Sequence, residues 1–420
     1  MNTQAEKAKS AKQLRYEREK RIVDAIELRI PDRVPIACPI GYFPAKVAGI
    51  PCSSAFYNFE AWYDAYKQVM PDYPADMIFQ QGYFPGKAWE ILQPKMLLWP
   101  GGGSDPNHGH QSIETDAMKA DEYDAFMEDP SDYLFRIHLS RLSNNLEGLA
   151  DLPKLNYLHG LMGLEIMTRA FSEPKTAKAI ETLLKTGREI RRNDRKIKKF
   201  NKLLEDMGFP QYFQGVSMPP YDLISHSLRG MTGCMMDMYR KPDKVIAAAE
   251  KILEITLARP VPEPSPLGQR RVFMTVTRGS DDFLSKKMFD TFYWPTFRKL
   301  IHGLIEKGMT PCVFFEGTFN TRMEYLLDFP KGKMLARIDA SDIFKAKEIL
   351  KDHVCLEGNV PSTILQVGTV DDVKEYCKKL IDVVGKDGGF ILSPRSSTDE
   401  VKAENLKAMI DFTHEYGVYR

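Results

Sequence analysis

Two acids and two arginines stand directly behind apolar runs in the second half of the chain. Arg278 follows RVFMTVT, Glu316 follows VFF, Asp339 follows KMLARI and Arg395 follows FILSP. A carboxylate that closes a buried run needs a metal, a cation or a proton to offset its desolvation. Protonated, it is a general acid; ionised, it is a base, a metal ligand or a seat for a cationic group. Guanidinium groups beside it suit the gripping of an anionic substrate. Residues at or just past the other apolar runs widen the set to Gln80 and Gln81, Ser217, Thr277, Asn359 and Ser393. Glu316 and Asp339 are the candidates for acid–base catalysis, joined by His226 in DLISHSLRG. Arg278 and Arg322 are candidates for orienting an anionic group, with Arg395, Ser217 and Gln80 as further substrate contacts. Glu316 and Asp339, with His226, could also form an oxygen-rich metal site; acid–base or substrate-binding roles rank above it.

These residues need a scaffold that gathers strand ends. RVFMTV, PCVFFEG, KMLARID, VCLEGN and GGFILS read as short, continuously apolar strands, each followed by a helical stretch. Strands of that kind are covered on both faces, as in parallel sheets, and their alternation with helices argues repeated βα units. Three more strands are read upstream, at VPIAC (34–38), DMIFQ (76–80) and YFQGVS (212–217). Eight strands predict an α/β fold, a (β/α)8 TIM barrel, with a charged N-terminal helical extension over 1–30. The barrel domain covers 31–420 and carries a long helical insertion at about 81–211. A doubly wound open sheet is the alternative, without a Gly-rich phosphate loop to support it. In a barrel the loops at the C-terminal strand ends converge, so the polar ring would surround one pocket.

Within the insertion, HGH at 108–110 lies in PGGGSDPNHGHQSIE and reads as a mobile lid, although two such His could face one ion. Tyr83, Phe84, Trp89 and Trp99 read as packing rather than as a pocket lining. The basic run KTGREIRRNDRKIKKF reads as a solvated helix face.

A formal charge of +1 gives no reason to expect nucleic acid or an acidic membrane as a partner. The opening residues are charged, with no apolar core of a signal peptide, and no run is long enough to span a membrane. Six scattered cysteines without a C-x-x-C pair read as reduced thiols of a cytoplasmic protein. The charged opening helix is expected on the surface or against a second subunit, which leaves room for a homodimer.

Three stretches, MPPYDLISHSLRGMTGCMMDMYRKPDKV (218–245), CLEGNVPSTILQVGTVDDVKEYCKKLID (355–382) and GGFILSPRSSTDEVKAENLKAMIDFTHEYGVY (388–419), resemble the uroporphyrinogen decarboxylase superfamily. The superfamily includes porphyrinogen decarboxylases and corrinoid-linked methyltransferases. The resemblance implies a (β/α)8 barrel with its site in the C-terminal mouth, and raises Asn359 to a substrate-binding candidate. The decarboxylase branch carries an arginine-rich R-Q-A-G-R-Y motif after its first strand. Here that position reads ACPIGYFPAKVAGI (37–50), without arginine. The thiol-methylating branch holds zinc with an H-x-C pair and a late cysteine; these positions fall on Phe314 and Glu316 and near Ser396. The usual thiolate ligands are absent, so zinc is not expected by that route.

What the resemblance implies is therefore a methyltransferase moving a methyl group from a small compound, of aryl methyl ether or methylamine type, to a corrinoid protein. No D-x-H-x-x-G motif occurs, so the corrinoid (cobalamin) would arrive on that partner. The alternatives are a decarboxylase acting on a tetrapyrrole or small carboxylate, and a non-catalytic corrinoid or tetrapyrrole binder.

Overall fold

The computed structural model describes residues 9–80, 82–154 and 160–419; of Gln80 only the backbone is included. Eight parallel strands form the frame: β1 (Ala37–Gly41), β2 (Met77–Gln80), β3 (Gly215–Val216), β4 (Arg271–Val276), β5 (Thr310–Phe315), β6 (Leu335–Ile338), β7 (Cys355–Val360) and β8 (Phe390–Pro394). β3 to β8 pair consecutively in one sheet, and β1 pairs with β2. Single bridges close the ring, Ile36 to Leu392 between β1 and β8, and Ile78 to Gln211 between β2 and the lead-in to β3. The chain is a (β/α)8 barrel.

Strand boundaries differ from the expected ones where the sheet is irregular. β1 begins three residues after Val34, because Pro35 lacks the N–H a ladder needs. β3 is only Gly215–Val216, since Tyr212 and Phe213 leave the ladder to pack inside the barrel.

Helices cover the outside. Those used below are α1 (Ala11–Ile26), α2 (Phe59–Val69), α3 (Pro174–Asp206), α4 (Gly230–Arg240), α5 (Pro242–Leu257), α6 (Trp294–Glu306), α7 (Ile343–Leu350), α8 (Val370–Val383) and α9 (Ala403–Tyr416). Most are amphipathic; α6 turns Phe297, Leu300, Ile301 and Leu304 inward on one stripe. Between β2 and β3 the chain makes its long excursion, a small three-stranded sheet near 97–112 and several helices ending in α3. The basic run lies on α3, whose buried residues include Phe200, Leu203 and Leu204 near its C-terminal end.

The opening helix departs from expectation. Instead of lying on the surface, α1 stoppers the barrel, with Ile22, Ala25 and Ile26 joining Ala37, Met77, Cys312, Leu335, Cys355 and Ile391 in one buried cluster. Two of its buried charged residues, Glu19 and Arg21, are paired across the barrel end. Glu19 receives two hydrogen bonds of 2.9 Å from Arg271. Arg21 donates at 3.0 Å to Asp76, which also takes 2.6 and 2.8 Å bonds from Arg33. Buried charges persist only when compensated in this way.

Candidate active site

Side chains alternate along a strand, so every second residue faces the barrel interior. On β5 the inward series runs Cys312, Phe314, Glu316; on β6 it runs Leu335, Arg337, Asp339. The first of each lies in the stoppered end beside α1. The second and third of each line a cavity of about 550 Å³ at the other end. Phe79 of β2 with Phe273 and Thr275 of β4 form another wall of the same cavity. The apolar run of β5 ends on an acid because Glu316 is the top step of an inward-facing ladder.

Glu316 and Asp339 therefore share one rim and one cavity. The Glu316 carboxylate makes no hydrogen bond or ion pair with any described residue. By surface area Glu316 is exposed, opening into the cavity, while the protein packed around that concave mouth still removes much of the water near its carboxyl. Burial pushes its pKa up, and the charges of Asp339 and Asp222 add to the rise. Asp339 is fixed instead: Oδ2 accepts the Gly317 N–H at 2.8 Å and Oδ1 accepts Arg395 Nε at 2.9 Å. Asn359 braces this corner from below, donating to the backbone oxygens of Asp339 and Ser341 at 3.1 and 3.2 Å.

His226 and Arg278 belong to a neighbouring cluster around the fully buried Asp222. Asp222 accepts from Thr277 Oγ1 at 3.0 Å, from the Arg278 backbone N–H at 2.8 Å and from Tyr293 Oη. Thr277 has given its only proton to Asp222, so His226 Nε2, 2.6 Å away, is the donor to Thr277. Nδ1 then faces an Arg278 nitrogen at 3.5 Å. Burial lowers the His226 pKa, against the pull of Asp222. The ring braces Arg278 and lies outside the residues lining the cavity.

The remaining predicted contacts divide. Arg322 is buried and donates to the backbone oxygens of Gly279 and Leu284, with its guanidinium over the Phe289 ring at 4.4 Å; it ties down the loop after β4 and does not line the cavity. Ser217 hydrogen bonds through its backbone to Phe273, and its hydroxyl is buried without a partner among the described residues. The Gln80 side chain and Gln81 lie outside the described residues. Tyr83, Phe84, Trp89 and Trp99 pack within the insertion and against Phe56 and Phe59.

Several cavity groups escaped the sequence reading. Arg337 was hidden inside a strand read as continuously apolar, as was the buried Glu357 of β7, which stands behind it and outside the cavity lining. The Gly-rich loop separates its two histidines. His108 is at the surface near Asp105, whereas His110 reaches the cavity and lies 3.0 Å from Tyr42 Oη through Nδ1. That loop is pinned, not loose, since Ser53 N–H donates to the Pro106 carbonyl and Gly109 packs against Tyr42. Asp399 completes this wall, accepting the Tyr42 N–H at 2.6 Å, and burial raises its pKa. Gly41 makes room for it: its φ is +50°, and a Cβ there would lie 2.0 Å from an Asp399 oxygen. Only adjacency of Tyr42 to a strand end pointed toward this wall in the sequence.

A thiolate zinc site does not fit these residues. The six cysteines are free and buried, and Cys312, in the stoppered layer, has its thiol pushed up to about 12 by burial. Among the described residues no three His, Cys, Asp or Glu side chains converge on one point. Glu316, Asp339 and His226 do not form such a group among the described residues, and each Asp339 oxygen already accepts one hydrogen bond.

The arrangement is an acid with a raised pKa facing an aromatic-walled cavity, beside a fixed carboxylate and a buried guanidinium. A solved methyltransferase from Methanosarcina mazei shares the fold at a TM-score of 0.58, with 17% sequence identity, over 97% of this chain and 99% of that one. The uroporphyrinogen decarboxylase of Chlorobium phaeobacteroides is 26% identical over 140 residues, 32% of this chain and 39% of that protein's length. Residues 197–416, from the end of α3 through α9, match the family described as Uroporphyrinogen decarboxylase (URO-D). The chain belongs to the uroporphyrinogen decarboxylase (URO-D) family.

Proposed function

We propose that the protein is a methyltransferase that moves a methyl group from a small methylated compound, of aryl methyl ether or methylamine type, to a corrinoid carried by a separate protein. The observation that carries this reading is Glu316: a carboxyl without a hydrogen-bond partner among the described residues, its pKa raised, at the mouth of an aromatic-walled cavity. An alkoxide or phenoxide is a poor leaving group unless it is protonated as the bond breaks. The C–O bond would break with its electron pair left on oxygen, oxygen would take the Glu316 proton, and the methyl group would pass to the acceptor's nucleophile. The partner's corrinoid supplies that nucleophile. The likeness to the Methanosarcina mazei methyltransferase supports the reading through the fold.

In this mechanism Asp339 keeps the Glu316 proton in place by like-charge repulsion, while Arg395 and Gly317 hold Asp339 still. Phe79, Phe273 and Phe314 exclude water and hold a flat substrate. Arg278, braced by His226, lies close enough to offset the carboxylate left on Glu316 after proton transfer.

The test is incubation with a reduced corrinoid protein and a panel of methyl ethers and methylamines, following cobalt methylation by absorbance. Methylation that Glu316→Gln abolishes is the expected result. No methylation with any donor, together with carbon dioxide release from a porphyrinogen or a small carboxylate, would replace this reading with a lyase.

A further inference from the structure

Among the described residues Arg337 has hydrogen-bond donors to spare. The side chain is 4% exposed, lines the cavity and lies over the Phe314 ring at 4.4 Å. A guanidinium carries five N–H donors. Among the described residues it makes one long hydrogen bond, 3.5 Å to the Arg395 carbonyl. Its ion contact with Glu357 is 3.5 Å and poorly aligned, since Arg337 Nε and Glu357 Oε1 are both buried without a hydrogen-bond partner. Tyr212 meanwhile holds the other Glu357 oxygen at 2.6 Å. Burial raises the Glu357 pKa, which weakens its claim on Arg337. A buried cation so incompletely satisfied costs stability unless something else completes its donor set.

Deepening the methyl-transfer reading and resting on it, we infer that Arg337 is the floor of the substrate site and binds a carboxylate of the methyl donor. The planar fork of Arg fits a carboxylate through two parallel hydrogen bonds. The strand itself supplies a ruler. Arg337 and Asp339 are two residues apart on one face of β6, about 6.6 Å along the strand. Phe314 and Glu316 repeat that step on β5. The backbone positions that carry floor and rim are thus about one benzene ring apart, with Phe79, Phe273 and Phe314 lining the same cavity. The substrate class is an aromatic carboxylate bearing a methoxy group across the ring.

Calorimetric titration separates this from a non-selective apolar pocket. The probes are 4-methoxybenzoate and the neutral 4-methoxybenzamide, each added to the full chain. The acid should bind the wild type about tenfold or more tightly than the amide, the scale of one charge-assisted hydrogen bond. Arg337→Gln should erase that preference. Because this variant leaves Glu357 buried without a countercharge, Arg337→Gln with Glu357→Gln serves as the second variant and should behave alike. Equal affinities in the wild type, no binding of either probe, or a preference that survives in the folded double variant would overturn the assignment. Arg337-dependent binding without methyl transfer would defeat the methyl-transfer reading alone. Transfer from neutral methoxybenzene as fast as from the acid would defeat the carboxylate floor alone.

Discussion

Asp339 and Arg395 meet at 2.9 Å across the gap between β6 and β8, and that contact divides the labour between the two rim acids. Asp339 is immobilised, with both oxygens occupied, and presents a fixed negative field. Glu316 beside it is unbonded and feels that field as a reason to hold its proton. A carboxyl whose surroundings raise its proton affinity, set beside a second acid held by hydrogen bonds, is the general pattern of a general acid with an electrostatic partner.

Glu316→Gln keeps size and polarity but has no proton to give. Methyl-transfer kcat should fall by about 100- to 10,000-fold, the usual weight of general acid catalysis. Because the carboxylate has no partner among the described residues, stability should change by only about 0.5 kcal/mol. Single-turnover cobalt absorbance and a urea melt measure the two; full activity would remove Glu316 from the chemistry.

Asp339→Asn tests the coupling through pH. In the proposed mechanism the acid form of Glu316 is the active one, so kcat/KM should fall as pH rises through its pKa. Removing the Asp339 charge lowers that pKa, and the falling limb should move to lower pH. A limb that stays put would mean that the field of Asp339 is screened. The same raised pKa has a stability sign: the Glu316 contribution is full below the ordinary carboxyl range and is lost as pH rises through the folded-state value. Melting temperatures of Glu316→Gln and wild type should therefore diverge over that window, with wild type losing ground.

Asp76 lies at the other end of the barrel, and its sign is opposite. Burial alone would raise its pKa, but Arg33 and Arg21 hold it well below the usual range. Its contribution is present above the ordinary carboxyl pKa and is lost as pH falls toward the folded-state value. Asp76→Asn should cost about 3–5 kcal/mol at neutral pH by removing the buried charge that Arg21 and Arg33 share. Urea titration against pH should show that deficit shrinking in acid.

Gly41→Ala probes the wall opposite Glu316. The left-handed backbone costs about 1–2 kcal/mol for a residue with a Cβ, and the methyl group would also collide with Asp399. A lowered melting temperature with a raised KM is expected, because Asp399 must leave the Tyr42 N–H. An unchanged KM would show that this wall does not touch substrate.

Much of the frame could be read from local pattern. RVFMTV was placed as a strand with its observed limits, and the inward positions of Glu316 and Asp339 follow from counting in twos along β5 and β6. Arg337 and Glu357 spoiled the assumption that barrel strands are apolar throughout, because polar groups in the lumen can compensate one another across strands. α1 was misplaced for a related reason. Its charges look like a solvated surface until Arg271, Arg33 and Asp76 arrive from far along the chain to pair with them or with one another.

By itself, the sequence determined which residues share a face and where strands hand over to loops, since those depend on neighbours two to four positions away. Which arginine keeps free donors was decided only by the closed barrel. Arg322 and Arg337 look alike in the sequence, yet one is consumed by the carbonyls of Gly279 and Leu284 while the other stands over Phe314 facing the cavity. Partner choice between distant residues is fixed by how the strands close and stagger, and His110 reaches the same cavity only because its loop is fastened to Ser53.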